Sequence, residues 1–182
     1  AAVKANVLKY GLPMFYCNGV GSQTEIVFDG TSLVFDKQAN LCGRLASFKE
    51  DMQSFVLNND GSIDAPILEN ASAINDQELN PVQLEAELHI DQIYAALLMG
   101  IKDYFSKMGF KKAILGSSGG IDSAVTLALA CEALGKENVM AVLMPSPYST
   151  GHSVDDARQL SENLGNPYHI LPIKNIYETF LQ

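Results

Sequence analysis

The sequence predicts an α/β fold, in which a meander of short strands is followed by a doubly wound parallel sheet. In the first part of the chain, short apolar runs are separated by turn residues. In the last part, strand and helix patterns alternate in the order β-α-β-α-β. Between them, the sequence up to about residue 80 is rich in Asn, Asp, Ser and Gly without sustained periodicity, as linkers are. The predicted divisions are residues 1–58, 59–80 and 81–182.

The first division is predicted to begin with a helix over residues 1–10 and to continue as the meander. Its strands are predicted at residues 14–17, 25–28, 32–36, 43–48 and 53–57. Cys17 ends the first of these runs, where a free cysteine usually behaves as a small buried hydrophobe. The three cysteines are odd in number and lack metal-ligand spacing, which predicts reduced thiols.

The last division is predicted to begin with a helix over residues 81–108, because apolar side chains recur there at helical spacing. This stripe comprises Leu84, Leu88, Ile93, Leu97, Ile101, Tyr104 and Phe105. The elements that follow are a strand from residue 113, a helix at 122–134, a strand at 139–144, a helix at 153–164 and a strand at 168–173. Because ligands of such sheets bind at the carboxyl ends of the strands, the loop from Ser117 and the segment 145–152 are predicted to face one another.

The loop after the first of these strands carries the chemistry. Its sequence over residues 116–123 is Gly-Ser-Ser-Gly-Gly-Ile-Asp-Ser, and it leads into an alanine-rich helix. Glycines expose backbone N–H groups, and a helix N-terminus adds unpaired donors and a positive dipole end, so we predict a phosphate site. Ser118 and Ser123 would add hydroxyl donors. A carboxylate beside a phosphate is repulsive unless a divalent cation lies between them, so Asp122 is predicted to bind magnesium.

Two common nucleotide motifs are excluded at this loop. It has neither the lysine of a G-x-x-x-x-G-K-[ST] loop nor the G-x-G-x-x-G spacing of a dinucleotide site. The alternative from local physics is an ordinary strand-to-helix turn, with Asp122 or Ser123 as the helix N-cap.

Three stretches of the chain resemble known families. Residues 118–123 resemble the S-G-G-x-D-S signature of the ATP pyrophosphatases, and residues 142–157 resemble the glutamine-dependent NAD synthetases among them. Residues 10–32 are similar to the late part of the nitrilase-like glutaminase domain that precedes the ATP domain in those synthetases. The resemblance implies the C-terminal part of a nitrilase-like α/β sandwich domain, followed by the first half of an ATP pyrophosphatase (adenine nucleotide alpha hydrolase-like) domain.

The resemblance also implies an activity and its ligands. The activity is amidation of deamido-NAD to NAD through an adenylate, with ATP and Mg²⁺ as cofactors, ammonia from glutamine, and AMP and pyrophosphate as products. The implied ATP-binding residues are Gly116, Ser117, Ser118, Gly119, Gly120, Ile121, Asp122, Ser123, Leu143 and Met144. Tyr104 is implied to bind the nicotinate-bearing substrate, and Asp122 to bind Mg²⁺. The family also implies a homo-oligomer.

The same resemblance predicts that this chain is an internal fragment. The Glu, Lys and Cys residues of the glutaminase triad are expected to lie outside it, and so is the lysine-bearing loop that closes over ATP. On its own the chain is therefore expected to be inactive. The alternatives are another amidating or thiolating ATP pyrophosphatase, or a non-catalytic fragment.

Several of these residues also have a purely structural interpretation. Tyr104 fits an aromatic side chain on an amphipathic helix, and Leu143 and Met144 fit a buried strand. Pro147 stands where the family commonly has arginine. His152 is interpreted as a solvated loop residue. The pair Asp155 and Asp156 is interpreted as acidic charge at a helix N-terminus, and residues 18–23 either shape a glutamine pocket or form a glycine-rich turn.

Composition indicates a globular protein, for which a cytoplasmic enzyme is the default expectation. The hydrophobic content of 47% is typical of folded domains, and the net charge of −9 argues against a nucleic-acid partner, which would need a basic surface. No apolar stretch approaches the length of a membrane span, and no signal peptide is recognisable, so no membrane partner is predicted.

Overall fold

The computed structural model describes residues 2–64, 90–146, 149 and 151–181. The chain divides into two compact units, Ala1–Ala96 and Leu97–Gln182. Most of the predicted linker, the start of the helix predicted at 81–108, and Pro147 lie outside the described residues. Among the described residues, no helix is both long and apolar enough to cross a membrane.

The first unit is built from antiparallel strand pairs. Its elements are α1 (Ala2–Tyr10), β1 (Met14–Tyr16), β2 (Val20–Gln23), β3 (Ile26–Asp29), β4 (Leu33–Phe35), β5 (Leu41–Arg44), β6 (Val56–Leu57) and β7 (Ile63–Asp64). Strands β1, β4 and β5 form one sheet in the order β1-β4-β5, while β2 with β3 and β6 with β7 form two separate hairpins. The predicted short antiparallel strands are therefore present, but the predicted meander is wrong, because β1 pairs with β4 rather than with the next strand along the chain.

A tight turn explains why β5 begins earlier than predicted. The Asp36 carboxylate accepts hydrogen bonds from the backbone N–H groups of Gln38 (2.9 Å) and Asn40 (2.8 Å). These bonds complete the turn within residues 36–40, so β5 begins at Leu41 rather than at residue 43. Burial raises the pKa of Asp36, but the hydrogen bonds from Asn40 and Gln38 outweigh it and leave that pKa below its usual value.

Two further differences in this unit concern glycine and cysteine. Residues 20–23 form β2, which pairs with β3, so of the two alternatives for residues 18–23 the glycine-rich turn is wrong there. The reversal comes instead at Thr24, which adopts a positive φ of 57°. Cys17 is exposed, contrary to the buried position predicted for it, because it lies just past the end of β1. All three cysteines are free, as predicted.

The second unit contains the predicted alternation of strands and helices. The elements from residue 90 onward are α2 (Ile90–Met108), β8 (Ala113–Gly116), α3 (Ile121–Leu134), a 3₁₀ turn (Lys136–Asn138), β9 (Val139–Leu143), α4 (Gly151–Leu164), β10 (Tyr168–Ile170) and α5 (Lys174–Phe180). Gly109, with a φ of +73°, follows α2 as predicted. The strand predicted to reach residue 173 ends at Ile170, and α5 follows it.

The three strands of this unit form a parallel sheet in the order β10-β9-β8. Helices α3 and α4 both pack on one face of it, against alternate residues of the central strand β9. The buried cluster consists of Leu127, Ala130, Cys131, Val139, Ala141, Leu143 and Ala157. On the opposite face Ile114 is 75% exposed. Crossover helices on one face are what the first half of a doubly wound sheet requires.

Candidate functional site

The loop between β8 and α3 is held in place by contacts with strand β9 and with helix α4. The Ser117 N–H donates to the Val142 carbonyl of β9 at 2.9 Å, which fixes the start of the loop. Gly119 has a φ of +80°, and a Cβ atom built there would lie 2.1 Å from the Ser153 carbonyl oxygen. Only glycine fits this conformation and this contact, so the loop packs directly against the first turn of α4.

The helix that follows the loop begins without a side-chain cap. Its N-cap is Gly120, in an extended conformation (φ −87°, ψ 159°) and without a side-chain hydrogen bond. Asp122 and Ser123 already lie inside the first turn, so the alternative that made either of them the N-cap is wrong. First-turn N–H groups have no acceptor within their own helix, and the dipole is positive at this end. This end of α3 is therefore chemically suited to an anion.

Two serines close a hydrogen-bond network across the loop. The Ser118 N–H donates to Ser123 Oγ at 3.2 Å, and the Gly120 N–H donates to Ser118 Oγ at 3.2 Å. The two hydroxyl oxygens lie 3.0 Å apart, and Ser123 Oγ donates to the Gly120 carbonyl at 2.9 Å. Backbone donors expected to be uncovered at Ser118 and Gly120 are thus paired with hydroxyl oxygens, which a phosphate oxygen would have to replace.

Ser117 differs from the other two serines. It is buried, with 6% of its surface exposed, and its Oγ has no hydrogen-bond partner among the described residues. A buried hydroxyl without a partner destabilises a protein by about 1–3 kcal/mol. The sequence pattern gave no indication of this, because burial of the residue depends on the packing of both helices over the sheet.

Asp122 is the one carboxylate of the loop, and it is exposed. The described residues contain no group of three or more His, Cys, Asp or Glu side chains that could hold a metal ion by themselves. Magnesium is commonly bound by one or two carboxylates together with substrate phosphates and waters, so a single carboxylate beside an anion site fits this ion.

The two residues predicted to lie near adenine differ in exposure. Leu143 is buried in the core, and its carbonyl accepts the Leu171 N–H at 2.8 Å, as the buried-strand interpretation expects. Met144 is 48% exposed, and its Cε lies 3.2 Å from the position that a Cβ of Gly116 would occupy. Met144 lies past the end of β9 and beside the start of the loop, so the buried-strand interpretation is wrong for Met144 and holds only for Leu143.

Tyr104 lies on α2 and is 45% exposed. Its ring contacts are with Phe105 (centroids 6.2 Å apart) and Phe110 (6.4 Å). These contacts describe an aromatic cluster at the end of α2, and the role of Tyr104 in substrate binding stays a prediction.

The segment after β9 forms a serine turn before α4. The Ser146 N–H donates to Ser149 Oγ at 2.9 Å, and the Ser149 N–H donates to the Ser146 carbonyl at 3.1 Å. Helix α4 begins at Gly151, two residues earlier than predicted, so His152 is an exposed residue of its first turn. Asp155 and Asp156 consequently lie beyond the first turn, so the interpretation of this pair as N-terminal charge is wrong. Asp155 instead forms an ion pair with Arg158 at 3.0 Å.

In the first unit, Asn18 has a structural set of hydrogen bonds. Its N–H donates to Ser32 Oγ at 3.0 Å, and its Nδ2 donates to Asp29 Oδ1 at 2.7 Å. Asn18 also lines a cavity of about 350 Å³ together with Cys17 and Lys49. A second cavity, of about 390 Å³, lies between α2 and the end of α3. Neither cavity is lined by the loop residues 116–123.

Known proteins with similar sequences match nearly the whole of this chain. Residues 93–182 match the NAD synthase family model. The glutamine-dependent NAD(+) synthetase of Synechocystis is 40% identical over 174 residues, which are 96% of this chain and 29% of that protein. The synthetase of the same name from Aquifex aeolicus is 37% identical over 91% of this chain and 32% of its own length. The chain thus spans about a third of the length of these relatives.

Two solved structures with a similar fold are also glutamine-dependent NAD synthetases. The glutamine-dependent NAD+ synthetase of Acinetobacter baumannii, solved in complex with ADP, superimposes on the whole chain with a TM-score of 0.82 and 34% identity, and the match covers 32% of that protein. A synthetase from Cytophaga hutchinsonii shares the fold at a TM-score of 0.69 and 14% identity. The resemblance to the glutamine-dependent NAD(+) synthetases is therefore confirmed for this chain, and its residues 93–182 match the NAD synthase family.

Proposed function

We propose that this chain is part of a glutamine-dependent NAD synthetase, which converts deamido-NAD to NAD with consumption of ATP. The observation that carries the proposal is the uncapped N-terminus of α3 behind a Ser-Gly-Gly loop, inside the segment that matches the NAD synthase family. The ADP bound to the Acinetobacter relative supports a nucleotide site in this fold. The proposal places the enzyme in the cytoplasm as a homo-oligomer, with no nucleic-acid or membrane partner.

The loop would hold the ATP phosphates by exchanging hydrogen bonds. The first-turn N–H groups of α3 lie ready for an anion, and the hydroxyls of Ser118 and Ser123 lie beside them. A phosphate oxygen can replace each hydroxyl oxygen as the acceptor for the Ser118 and Gly120 N–H groups. The Ser118 hydroxyl can then donate to the same phosphate, and the Ser123 hydroxyl can do so once it releases the Gly120 carbonyl. Asp122 would hold Mg²⁺, which neutralises phosphate charge when it is bound.

The proposed reaction has two displacements. An oxygen of the nicotinate carboxylate attacks the α-phosphorus of ATP, and the bond from that phosphorus to pyrophosphate breaks. Ammonia then attacks the carboxyl carbon of the adenylate, AMP leaves with the electron pair of the broken C–O bond, and a proton is lost from nitrogen. Such transfers depend mainly on positioning and charge neutralisation, which a loop of backbone donors and hydroxyls can supply. Tyr104 is proposed to contact the nicotinate-bearing substrate.

We also propose that residues 1–58 are the C-terminal part of a nitrilase-like glutaminase domain. Their antiparallel strand pairs support this, as does the match to the Acinetobacter relative, which extends over the whole of this chain. Glutamine would be hydrolysed through a cysteine thioester at a Glu, Lys and Cys triad outside this chain. Cys17 is not proposed as that nucleophile.

The test is pyrophosphate release by the full-length protein that carries these residues. It is given Mg-ATP with deamido-NAD, xanthosine monophosphate, aspartate or tRNA as the acceptor, and glutamine as the nitrogen source. We expect release with deamido-NAD alone, together with NAD formation. The Asp122→Ala variant should lose at least about 100-fold in rate, because the proposed ligand of the Mg²⁺ that neutralises the phosphates is gone. Release with another acceptor would retain the ATP chemistry and overturn the substrate.

A further inference from the structure

We propose that Asn18 is a site of spontaneous deamidation, in which the backbone nitrogen of Gly19 attacks the side chain and water completes the conversion to aspartate or isoaspartate. Asn18-Gly19 is the one Asn-Gly pair in the sequence. The conversion replaces a hydrogen bond between the segment after β1 and the last residue of β3 by a contact between two carboxylates. The inference does not rest on the synthetase activity, because it concerns only the covalent chemistry of the first unit.

Gly19 presents an accessible nucleophile. It is an exposed residue in the connection between β1 and β2, and among the described residues its N–H donates to no acceptor. Apart from its chain neighbours, no atom of the described residues lies within 4 Å of the position that a Cβ of Gly19 would occupy. Glycine also lacks the Cβ that would shield its nitrogen from the preceding side chain. On the nitrogen side, the attack therefore requires no described hydrogen bond to break.

The reaction consumes only water. Once the Gly19 nitrogen loses its proton to solvent hydroxide, it attacks Asn18 Cγ, and the Cγ–Nδ2 bond breaks so that the amide nitrogen leaves as ammonia with a proton from water. Water then opens the cyclic imide at either of its carbonyls, which leaves aspartate or isoaspartate. Negative charge develops on Asn18 Oδ1 during the attack, and the Tyr16 hydroxyl already donates to that oxygen at 3.4 Å.

Conversion of Asn18 turns an attractive contact into a repulsive one. In the amide form, Asn18 Nδ2 donates to Asp29 Oδ1 at 2.7 Å. In the aspartate form both groups are carboxylates, which have no proton to donate when they are ionised and which repel each other. The Asp29 carboxylate also accepts the Thr31 N–H at 3.4 Å. Deamidation is therefore expected to loosen the turn after β3 from the segment after β1.

Asn40 supplies a matched internal control. Its Nδ2 also donates to a carboxylate, that of Asp36, and the distance is again 2.7 Å. The next residue is Leu41, which begins β5 and pairs with Phe35. The two asparagines thus share the same kind of side-chain hydrogen bond and differ in the residue that would attack. Asn40 is the more exposed of the two, so exposure alone would favour the opposite result.

The experiment follows the full-length protein during storage in mildly alkaline buffer, where more of the Gly19 N–H is deprotonated. Trypsin cleaves after Lys and Arg, so Asn18 is the only asparagine of the peptide Tyr10–Lys37, and Asn40 is the only one of the peptide Gln38–Arg44. Peptide mass spectrometry then locates the conversion and measures the converted fraction. We expect conversion at Asn18 to be several-fold faster than at Asn40, with isoaspartate among the products.

Two sets of variants test the mechanism and its consequence. The methyl group of Gly19→Ala has open space, so this variant should keep the fold while conversion at Asn18 slows several-fold. Asn18→Asp should lower the Tm at neutral pH more than Asn18→Ala does, because Asn18→Ala removes the hydrogen bond without adding a charge. On storage, the Tm of the wild type should move towards that of Asn18→Asp, while the Tm of Gly19→Ala should stay constant.

Equal rates of conversion at Asn18 and Asn40 would overturn the proposed site, and so would a Gly19→Ala protein that converts as fast as the wild type. An Asn18→Asp protein at least as stable as Asn18→Ala would overturn the proposed consequence. Because the Asn40 comparison is made within the wild type, it decides the question even where a variant folds poorly. None of these outcomes depends on whether the protein makes NAD.

Discussion

At the scale of single residues, the two neighbouring glycines of the loop differ in what the fold requires of them. Gly119 needs a positive φ and has the Ser153 backbone where a side chain would lie. Gly120 has an ordinary extended conformation, and a Cβ there would lie 3.4 Å from Ser118 Oγ, a normal contact. Backbone conformation and packing therefore require glycine at position 119 but not at position 120.

This difference predicts opposite outcomes for two alanine substitutions. In Gly119→Ala, the methyl group meets the Ser153 carbonyl and the positive φ is strained by about 1–3 kcal/mol, so the loop must move away from α4. A displacement of about 1 Å at such a site can lower the rate about 100-fold. We expect at least that loss in NAD synthesis, measured as kcat/KM for ATP with the full-length protein.

Gly120→Ala is the control for the same chemical change one residue away. We expect the rate to stay within a few-fold of the wild type, because a methyl group fits there without a backbone clash. Near-equal losses in the two variants would show that the loop does not depend on its packing against α4.

At the scale of elements, α3 links the core to the loop. Its buried residues Leu127, Ala130 and Cys131 pack against β9, while its uncapped first turn follows directly from the Ser-Gly-Gly loop. The position of the helix N-terminus is therefore set by apolar contacts two turns further along. Packing of this kind, rather than helix propensity, supplies most of the stability of a helix in a folded protein.

Leu127→Ala is predicted to destabilise the fold and the site together. Leu127 is fully buried, and replacing such a side chain by alanine costs about 2–5 kcal/mol, depending on how far the surroundings collapse. Urea unfolding of the full-length protein should show this loss. Val125→Ala on the same helix removes a side chain that is 49% exposed and should cost much less. A Leu127→Ala variant as stable as Val125→Ala would contradict the core assignment.

The elements that the sequence predicted well are those that a buried core enforces. The strands around Ala113 and Val139 and the helix to Leu134 are close to their predicted bounds, because their apolar residues form the cluster around Leu127. Strand β2 was not predicted, since Gly19 and Gly21 resemble turn residues and the real reversal at Thr24 has no glycine signal. The pairing of β1 with β4 joins residues that are distant in the sequence, such as Phe15 and Val34, and local patterns do not record it.

The same reasoning applies to the site. The loop, its position before α3 and its helix N-terminus were predictable from Ser-Gly-Gly spacing after an apolar run. The contact between Gly119 and Ser153, and the burial of Ser117, arise only when α4 packs on the sheet 30 or so residues later in the chain. A contact between residues this far apart along the chain cannot be predicted from the local pattern of a single sequence.

At the scale of the whole molecule, the two units have different architectures. The first is assembled from antiparallel pairs, and the second from a parallel sheet with helices on one face. Within the second unit, the described residues give β8 and β10 one strand neighbour each, and Ile114 is exposed on the face without α3 and α4. Parallel sheets are normally covered on both faces. Among the described residues, apolar surface of this sheet is therefore exposed at Ile114.

These features predict that the 182-residue chain alone makes no NAD from deamido-NAD and Mg-ATP, with glutamine or with ammonium as the nitrogen source. The chain aligns with 29% of the Synechocystis relative, and its parallel sheet has exposed apolar surface at β8. The full-length protein, assayed beside it at equal concentration, should be active with glutamine, and full-length Asp122→Ala gives the background rate. Calorimetry with pyrophosphate would then separate loss of binding from loss of turnover. NAD formation by the 182 residues well above that background would mean that the loop, α3 and α4 already contain a working synthetase site, and that the fragment interpretation is wrong.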